Sequence, residues 1–296
     1  MSAAMALVSG ASGFFRPRIP NPWFHPPGTI EATSYYDTMQ LKATLESLVD
    51  FDRVNSDHAN PRISLGAVNV RSGNLIYFDS SKQVIKPEHV MASGALPPSF
   101  PPVKIDGECY WDGGLFSNTP LQYIVDYSPR RSRLVFQVDV FQAFGCLPTN
   151  LDEVAEREKD IRYSSRTRAT TDALSEKHHV RHVINELHKL LPPEIANTPE
   201  AKRLYEHGCV TEMDIVQLIY RPMAPQGGAK DFEFSRSTMQ ARWQQGLSDA
   251  RTTLQASPWL APYPKEVGVR VFDVMHDILI AQRDAGLAPE QLQRTR

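Results

Sequence analysis

The sequence lacks the features that mark several large classes of protein. Its three cysteines, Cys109, Cys146 and Cys209, have a spacing that suits neither a disulfide framework nor a four-cysteine zinc site. No apolar run approaches the roughly 20 residues that span a bilayer, and no basic segment marks a secretory signal at the start. Acidic and basic residues nearly balance, 34 against 32, so no net positive field favours nucleic acid. These absences favour a globular, cytoplasmic protein.

The apolar segments of the first half predict strands. Residues 63–70 and 74–78 are rich in β-branched and aromatic side chains, and a short connection containing glycine joins them, so we expect a hairpin. Residues 134–140 are almost continuously apolar, which predicts a parallel strand buried on both faces. A further strand is expected at 214–220. A helix through 87–94 begins with proline and glutamate, both suited to a first turn.

The second half predicts long helices. Residues 151–191 contain neither glycine nor proline, which favours one long helix or a helix pair. Residues 236–255 and 267–287 also show helical periodicity. Apolar side chains of the stretch 151–191 lie on one helical stripe. That stripe comprises Val180, Val183, Ile184, Leu187 and Leu191.

A proline-rich segment lies near the start of the chain. Residues 16–28 hold five prolines, and because proline fixes φ and lacks an amide donor, we expect an irregular loop. Aromatic side chains flank or occupy it, so the loop is either pinned to the core or forms a flap that touches lipid or covers a pocket. The aromatic residues predicted for peripheral membrane contact are Phe14, Phe15, Trp23 and Phe24.

Asp112-Gly113-Gly114 is the most informative triplet. It follows the short apolar stretch 109–111 and precedes Asn118-Thr119-Pro120, a helix start, so it places a carboxylate on a tight strand-to-helix turn. A carboxylate in that position can act as a general base, orient another base, bind a metal or cap the helix. The alternative without chemistry is a plain Asx turn.

The surroundings of this triplet resemble the patatin-like phospholipases. Residues 92–102, Ala-Ser-Gly-Ala-Leu-Pro-Pro-Ser-Phe-Pro-Pro, match the family's stretch ahead of Asp-Gly-Gly, and the Asn-x-Pro element follows in order. The run 231–236, continued by Trp243 and Gly246, is similar to an extension found in a bacterial branch of the family. The resemblance covers essentially the whole chain. It implies an α/β fold, a patatin-like three-layer α/β/α sandwich that is N-terminally truncated and carries a mainly helical C-terminal extension.

The resemblance also implies an organisation and an activity. Residues 1–147 would be part of an acyl hydrolase domain and 148–296 the helical extension. Family members hydrolyse phospholipids or other acyl esters with a Ser–Asp dyad and no cofactor, so Asp112 would be the base, on a turn shaped by Gly113 and Gly114. Backbone donors would stabilise the oxyanion.

The nucleophile expected from the family is not recognisable. No Gly-x-Ser-x-Gly occurs in residues 1–296, and in the nearest approach, around Ser12, Phe14 replaces the last glycine of the elbow. We therefore do not expect Ser12 to be the nucleophile. The chain would lack the first part of the fold, would be inactive alone and would need the missing segment or a partner.

Two other interpretations stay open. The chain could be a non-catalytic family remnant or interaction module. His178 and His182, four residues apart on the predicted long helix with Glu186 continuing that face, could instead serve a metal-dependent hydrolase. We expect no metal there, because no third ligand is evident, and predict an exposed polar helix face.

Overall fold

The computed structural model describes residues 3–56, 61–125, 131–222, 226–233, 235–263 and 267–284. The chain divides into two compact units. Unit 1 comprises Met1–Asn118 and Ala229–Thr238, and unit 2 comprises Thr119–Gly228 and Met239–Arg296. Strands and helices occur in both, which confirms the predicted α/β class. The functional boundary between residues 147 and 148 stays a prediction.

The described helices and strands are numbered in chain order. The helices are α1 (Ala3–Ser9), α2 (Met39–Leu48), α3 (Phe51–Asn55), α4 (Pro87–Ser93), α5 (Leu121–Val125), α6 (Leu151–Leu190), α7 (Pro193–Ala196), α8 (Pro199–Tyr205), α9 (Arg236–Ala256) and α10 (Val274–Asp284). The strands are β1 (Arg16–Pro17), β2 (Tyr36–Asp37), β3 (Ser64–Asn69), β4 (Leu75–Asp79), β5 (Val103–Ile105), β6 (Glu108–Asp112), β7 (Arg133–Asp139), β8 (Met213–Ile219) and β9 (Val269–Phe272).

Unit 1 is built on an antiparallel sheet with strand order β4-β3-β6-β5. The predicted hairpin is confirmed, because β3 and β4 pair from Ser64 opposite Asp79 to Val68 opposite Leu75. The predicted helix at 87–94 is α4, which contacts β3, β5 and β6. The buried core of this unit comprises Ala67, Phe78, Ile85, Ala92 and Ile105.

Unit 2 contains a parallel sheet with strand order β7-β8-β9. The prediction of a parallel strand at 134–140 is confirmed, but burial on both of its faces is wrong. Within the described sheet β7 has a neighbour on one side, and Phe136 and Val138 are 44% and 64% exposed whereas Val135 is buried. The face of β7 that carries Val135 packs in a cluster with residues of α5 and α6.

The predicted helix at 267–287 is only partly correct. Residues Val269–Phe272 form β9, because their backbone pairs with β8 from Met213 opposite Val269 to Val216 opposite Phe272. The sequence Val-Arg-Val-Phe also has the β-branched and aromatic side chains that favour strands. Helix α10 follows, and residues 285–287 lie outside the described part of the chain.

The stretch 151–191 forms one helix of 40 residues, α6. Asn150 caps its start by accepting a hydrogen bond from the Glu153 N–H at 3.0 Å, and two prolines follow its end. Its buried side chains recur every three or four residues and are mostly polar. They are Glu156, Asp160, Ser164, Thr167, Thr171, Leu174, His178, His182 and Asn185.

The apolar stripe predicted for the same helix largely faces solvent. Val180, Val183 and Leu187 are all more than two-fifths exposed. In helix α9 the apolar side chains of Met239 and Trp243 are likewise exposed, at 52% and 69%. Among the described residues, no helix is both long and apolar enough to span a bilayer.

Candidate functional site

Asp112 lies at the end of β6, where the strand passes into a 3₁₀ turn over Gly113–Leu115. Its Oδ1 accepts a hydrogen bond from the Gly114 N–H at 2.7 Å. The Gly113 carbonyl accepts bonds from the N–H groups of Phe116 and Ser117, both at 3.0 Å, which closes the turn. The carboxylate is therefore fixed by the backbone of its own turn.

Position 113 requires glycine because two backbone segments come into close contact there. A Cβ atom at this position would lie 2.5 Å from the carbonyl oxygen of Gly66 on β3. The contact follows from strand pairing, because Ala67 stands opposite Asp112 in the register of β3 and β6. The absence of a side chain at residue 113 thus allows the chain to turn immediately after the carboxylate.

Gly114 keeps the space beside the carboxylate open. A Cβ atom at Gly114 would lie 3.1 Å from Asp112 Oδ1 and 3.4 Å from Asn118 Oδ1. The side-chain oxygens of Asp112 and Asn118 therefore lie on the same side of the turn. The sequence marked Asn118 only as the beginning of a helix, and it carried no signal for this proximity.

The environment of Asp112 increases its basicity. Burial raises the pKa of the Asp112 carboxyl, and the hydrogen bond from Gly114 opposes this increase only in part. The residue as a whole is half-buried. A carboxylate with a raised pKa accepts a proton more readily at neutral pH than an exposed one does.

Residues 92–102 contact the site directly through the backbone. The Asp112 N–H donates to the Ala95 carbonyl at 3.0 Å, just after α4 ends. This bond holds the last residue of β6 against the segment that precedes β5. The resemblance of residues 92–102 to the family's stretch ahead of Asp-Gly-Gly associates Ala95 with Asp112. Neither periodicity nor composition predicts the contact between them.

Ser12 occupies a different kind of turn. It is exposed and lies between Ala11 and Phe15, whose backbones exchange hydrogen bonds at 2.8 and 2.9 Å. Helix α1 precedes this turn and the short β1 follows it, the reverse of the strand-to-helix order in a nucleophile elbow. Among the described residues no hydrogen bond joins Ser12 to Asp112, and its exclusion as nucleophile stays a prediction.

The four aromatic residues near the proline-rich segment divide into two pairs. Phe15 is buried, and Phe14 packs against it with the ring centroids 5.1 Å apart, so Phe15 is not available to lipid and the prediction is wrong for that residue. Both rings also contact Phe100. Trp23 and Phe24 are 82% and 79% exposed. The alternatives of an anchored loop and an exposed flap therefore apply to different parts of one segment.

The histidine pair lies inside unit 2. His178 and His182 are both buried, which corrects the expected exposed polar face, and the His178 Nε2 lies 2.7 Å from the Thr211 carbonyl oxygen. Glu186 accepts a hydrogen bond from the Lys189 ammonium at 2.7 Å. No group of three or more His, Cys, Asp or Glu side chains that could hold a metal ion occurs in the described part of the chain.

Comparison with known families matches two parts of the sequence. A model described as patatin-like phospholipase matches residues 6–125, which include Asp112 and the turn around it. A second model, described as patatin phospholipase, matches residues 161–266. The chain belongs to the patatin-like phospholipase family. A search of curated proteins finds no match.

The position of the matches bears on the site. The first match contains residues 92–102, the Asp112-Gly113-Gly114 triplet and Asn118 in one continuous segment. The second contains most of α6, all of β8 and the exposed Trp243 of α9. Phe234, part of the run 231–236 that suggested a bacterial branch of the patatin-like family, lies outside the described residues.

Proposed function

We propose that this patatin-like protein takes part in the hydrolysis of lipid acyl esters, with Asp112 as the general base of a Ser–Asp dyad. The observation that carries the proposal is the half-buried Asp112 carboxylate, whose pKa is raised by burial and whose position is fixed by Gly114 at 2.7 Å. The family membership supports an acyl ester of a lipid as the substrate class.

The proposed chemistry uses the Asp112 carboxylate twice. It first removes the proton of a serine hydroxyl, whose oxygen attacks the ester carbonyl carbon and forms a tetrahedral oxyanion. Collapse of this intermediate expels the alcohol, which takes the proton from Asp112 and leaves an acyl-serine. Water then attacks the acyl-serine while Asp112 accepts its proton. Collapse of this second tetrahedral intermediate expels the serine oxygen, which takes the proton back from Asp112, so that the fatty acid is released and the serine is regenerated.

The serine is the part of the dyad that residues 1–296 do not supply in recognisable form. We propose that these residues by themselves are inactive and that Asp112 works with a Gly-x-Ser-x-Gly segment from an additional stretch of polypeptide or a partner. The test compares residues 1–296 with the same chain preceded by such a segment from another family member, using a fluorophosphonate probe that labels activated serines.

We expect labelling and ester hydrolysis only in the extended chain. Replacing Asp112 by Asn there should lower hydrolysis by about 10²- to 10⁴-fold, the usual contribution of a general base. Labelling of residues 1–296 alone, lost in Ser12→Ala, would overturn the assignment of the missing nucleophile. Full activity of the extended Asp112→Asn variant would overturn the role of the carboxylate.

The proposal includes peripheral contact with a lipid surface through Trp23 and Phe24. Both rings are largely exposed and follow one another in a 3₁₀ turn, Pro22–Phe24. Tryptophan and phenylalanine favour the boundary between water and hydrocarbon. Trp23→Ala combined with Phe24→Ala should weaken partitioning to phospholipid vesicles about tenfold. Trp243→Ala removes another exposed tryptophan and serves as the control.

A non-catalytic interaction module is the second candidate. It is favoured by the exposed apolar side chains of α9, where Met239 and Trp243 are 52% and 69% exposed. In this alternative the extended chain would neither be labelled nor hydrolyse esters. A reducing, cytoplasmic environment remains part of either proposal, because the cysteines lack paired spacing and are free thiols.

A further inference from the structure

A groove in unit 1 joins basic and apolar groups that the proposed chemistry does not use. Its volume is about 750 Å³, and two separate stretches, residues 16–19 and 101–104, contribute to its lining together with His25 and Met39. The sequence did not predict this groove. Its one local signal is the alternation of arginine and proline at the beginning of the proline-rich loop.

The acidic side chain of Asp37, in the lining of this groove, is neutralised within the protein. Asp37 accepts hydrogen bonds from the Arg16 guanidinium at 2.9 Å and from the Met39 N–H at 2.9 Å. Burial by itself would raise the pKa of Asp37, but the Met39 hydrogen bond and the charges of Arg16 and Arg18 hold it below its usual value. Arg16 and Asp37 therefore form an ion pair with no net charge.

Two cationic groups of the groove are not neutralised in this way. Arg18 uses its Nε to donate to the Ser34 hydroxyl at 3.1 Å, and buried Ser34 in turn donates to the Tyr36 carbonyl at 2.9 Å. In the described structure the terminal nitrogens of Arg18 and the ammonium of Lys104 make no hydrogen bond or ion pair with protein. Glu31 is the one other acid in the lining.

Large apolar side chains are exposed in the lining of the groove and next to it in the sequence. Ile19 and Met39 line the groove and are 92% and 73% exposed. Trp23 and Phe24 directly precede the groove residue His25. Cationic groups next to exposed aromatic and aliphatic side chains match the surface of an anionic membrane, where phosphates lie just above the hydrocarbon.

The groove also lies close to the candidate site in the strand register. Val103 of its lining stands opposite Tyr110 on β6, and Asp112 is two residues further along that strand. Pro101 and Pro102 directly precede Val103 and line the groove as well. The groove and the candidate site therefore share the neighbouring strands β5 and β6 of one sheet.

We propose that this groove binds the headgroup phosphate of an anionic glycerophospholipid, with Arg18 and Lys104 as the phosphate-binding residues. The inference deepens the proposed function, on which its reference to a lipid substrate rests, by naming the class of lipid. Arg18 offers two terminal nitrogens for bidentate contact with phosphate oxygens, and Lys104 adds a mobile ammonium.

The test measures binding of residues 1–296 to vesicles of phosphatidylcholine alone and of phosphatidylcholine mixed with phosphatidylglycerol. We expect tighter binding to the mixed vesicles, weakened as salt rises toward about 1 M. Arg18→Gln and Lys104→Gln should each weaken that binding about fivefold and together about twentyfold. Arg18→Lys keeps the positive charge and should retain most of the binding.

The matched control removes equal charge elsewhere in unit 1. Arg53→Gln with Arg71→Gln replaces two exposed arginines outside the groove, and it should change binding less than twofold. Thermal melting of each variant separates loss of binding from loss of folding, and because the Lys104 side chain is exposed, Lys104→Gln should keep the fold. Equal losses in the groove and control variants would overturn the proposed site.

Soluble ligands identify the source of the phosphate. Inorganic phosphate and glycerol 3-phosphate should not displace the protein from mixed vesicles at equal phosphate concentration, and displacement by either would overturn a membrane lipid as the ligand. Because the assay records binding and not hydrolysis, it is independent of the dyad. Binding without any hydrolysis in the extended chain would overturn the proposed function and leave the headgroup site standing.

Discussion

The Asp112 turn of unit 1 and the long helix α6 of unit 2 follow the sequence to very different degrees. At the turn, a carboxylate and two glycines do what their chemistry predicts over three residues, and the distant contacts are few, with the carbonyl oxygen of Gly66 2.5 Å from the position of a Cβ at Gly113 and the Ala95 carbonyl bonded to the Asp112 N–H. In α6, the predicted apolar stripe is exposed and a mostly polar face is buried. Local geometry was therefore predictable, whereas the choice of buried face was not.

The largest expected effect tests which face of α6 stabilises the protein. Leu174 is buried in the cluster with Leu121, Val135 and Ile215, so Leu174→Ala should cost about 2–4 kcal/mol of unfolding free energy. Leu187 is 56% exposed on the same helix, and Leu187→Ala should cost less than about 0.5 kcal/mol. Urea denaturation measures both, and equal losses would contradict the assignment of the faces.

The next effect tests the close contact at the turn. Gly113→Ala places a methyl group 2.5 Å from the Gly66 carbonyl oxygen, so the backbone must shift, at a cost of about 1–3 kcal/mol. Gly94→Ala, also in unit 1, brings the new Cβ no closer than 4.0 Å to the Val90 carbonyl oxygen and should stay within about 0.5 kcal/mol. Similar stability of the two variants in denaturation would remove the steric requirement for Gly113.

A pH-dependent effect is expected from the core of unit 1. His89 is buried and stacks on Phe78 with ring centroids 4.3 Å apart, and burial, with a smaller contribution from Lys86, lowers the pKa of His89. The unfolded chain therefore binds a proton more readily than the folded one, and stability should fall as pH drops below about 6.5. Melting temperatures of His89→Gln, which keeps an acceptor for the Lys86 N–H, should fall less steeply over this range. Parallel pH profiles for the two proteins would contradict the prediction.

The smallest effect concerns the free energy of folding that the buried charge of Asp112 costs. Because burial raises the pKa of Asp112 in the folded state, its negative charge disfavours folding at neutral pH, and this penalty disappears as pH falls below the unfolded pKa. Asp112→Asn should therefore melt at the same or a higher temperature at pH 7, with the difference vanishing in acid, although it abolishes the proposed base. A lower melting temperature at pH 7 would show that the carboxylate stabilises the turn instead.

The comparison also explains which elements could be predicted. The β3–β4 hairpin and α4 were correct, and of the two alternatives for residues 151–191, one long helix or a helix pair, the structure has the single helix α6. Turn residues, first-turn residues and the absence of glycine and proline act over a few neighbouring positions. Strand β9 was predicted as helix, because its four residues pair with β8 more than fifty positions away. Such pairing leaves little trace in a short window of sequence.

The sequence by itself determined the family, the α/β class and the position of the Asp112-Gly113-Gly114 turn, because conformational demands on three residues and the order of short motifs are local. The tertiary structure alone decided that Phe15 is buried while Trp23 is exposed, that His178 and His182 lie inside unit 2, and that Arg18 and Lys104 share a groove. Those outcomes depend on which surfaces meet after folding, and a side chain's own chemistry does not specify its neighbour.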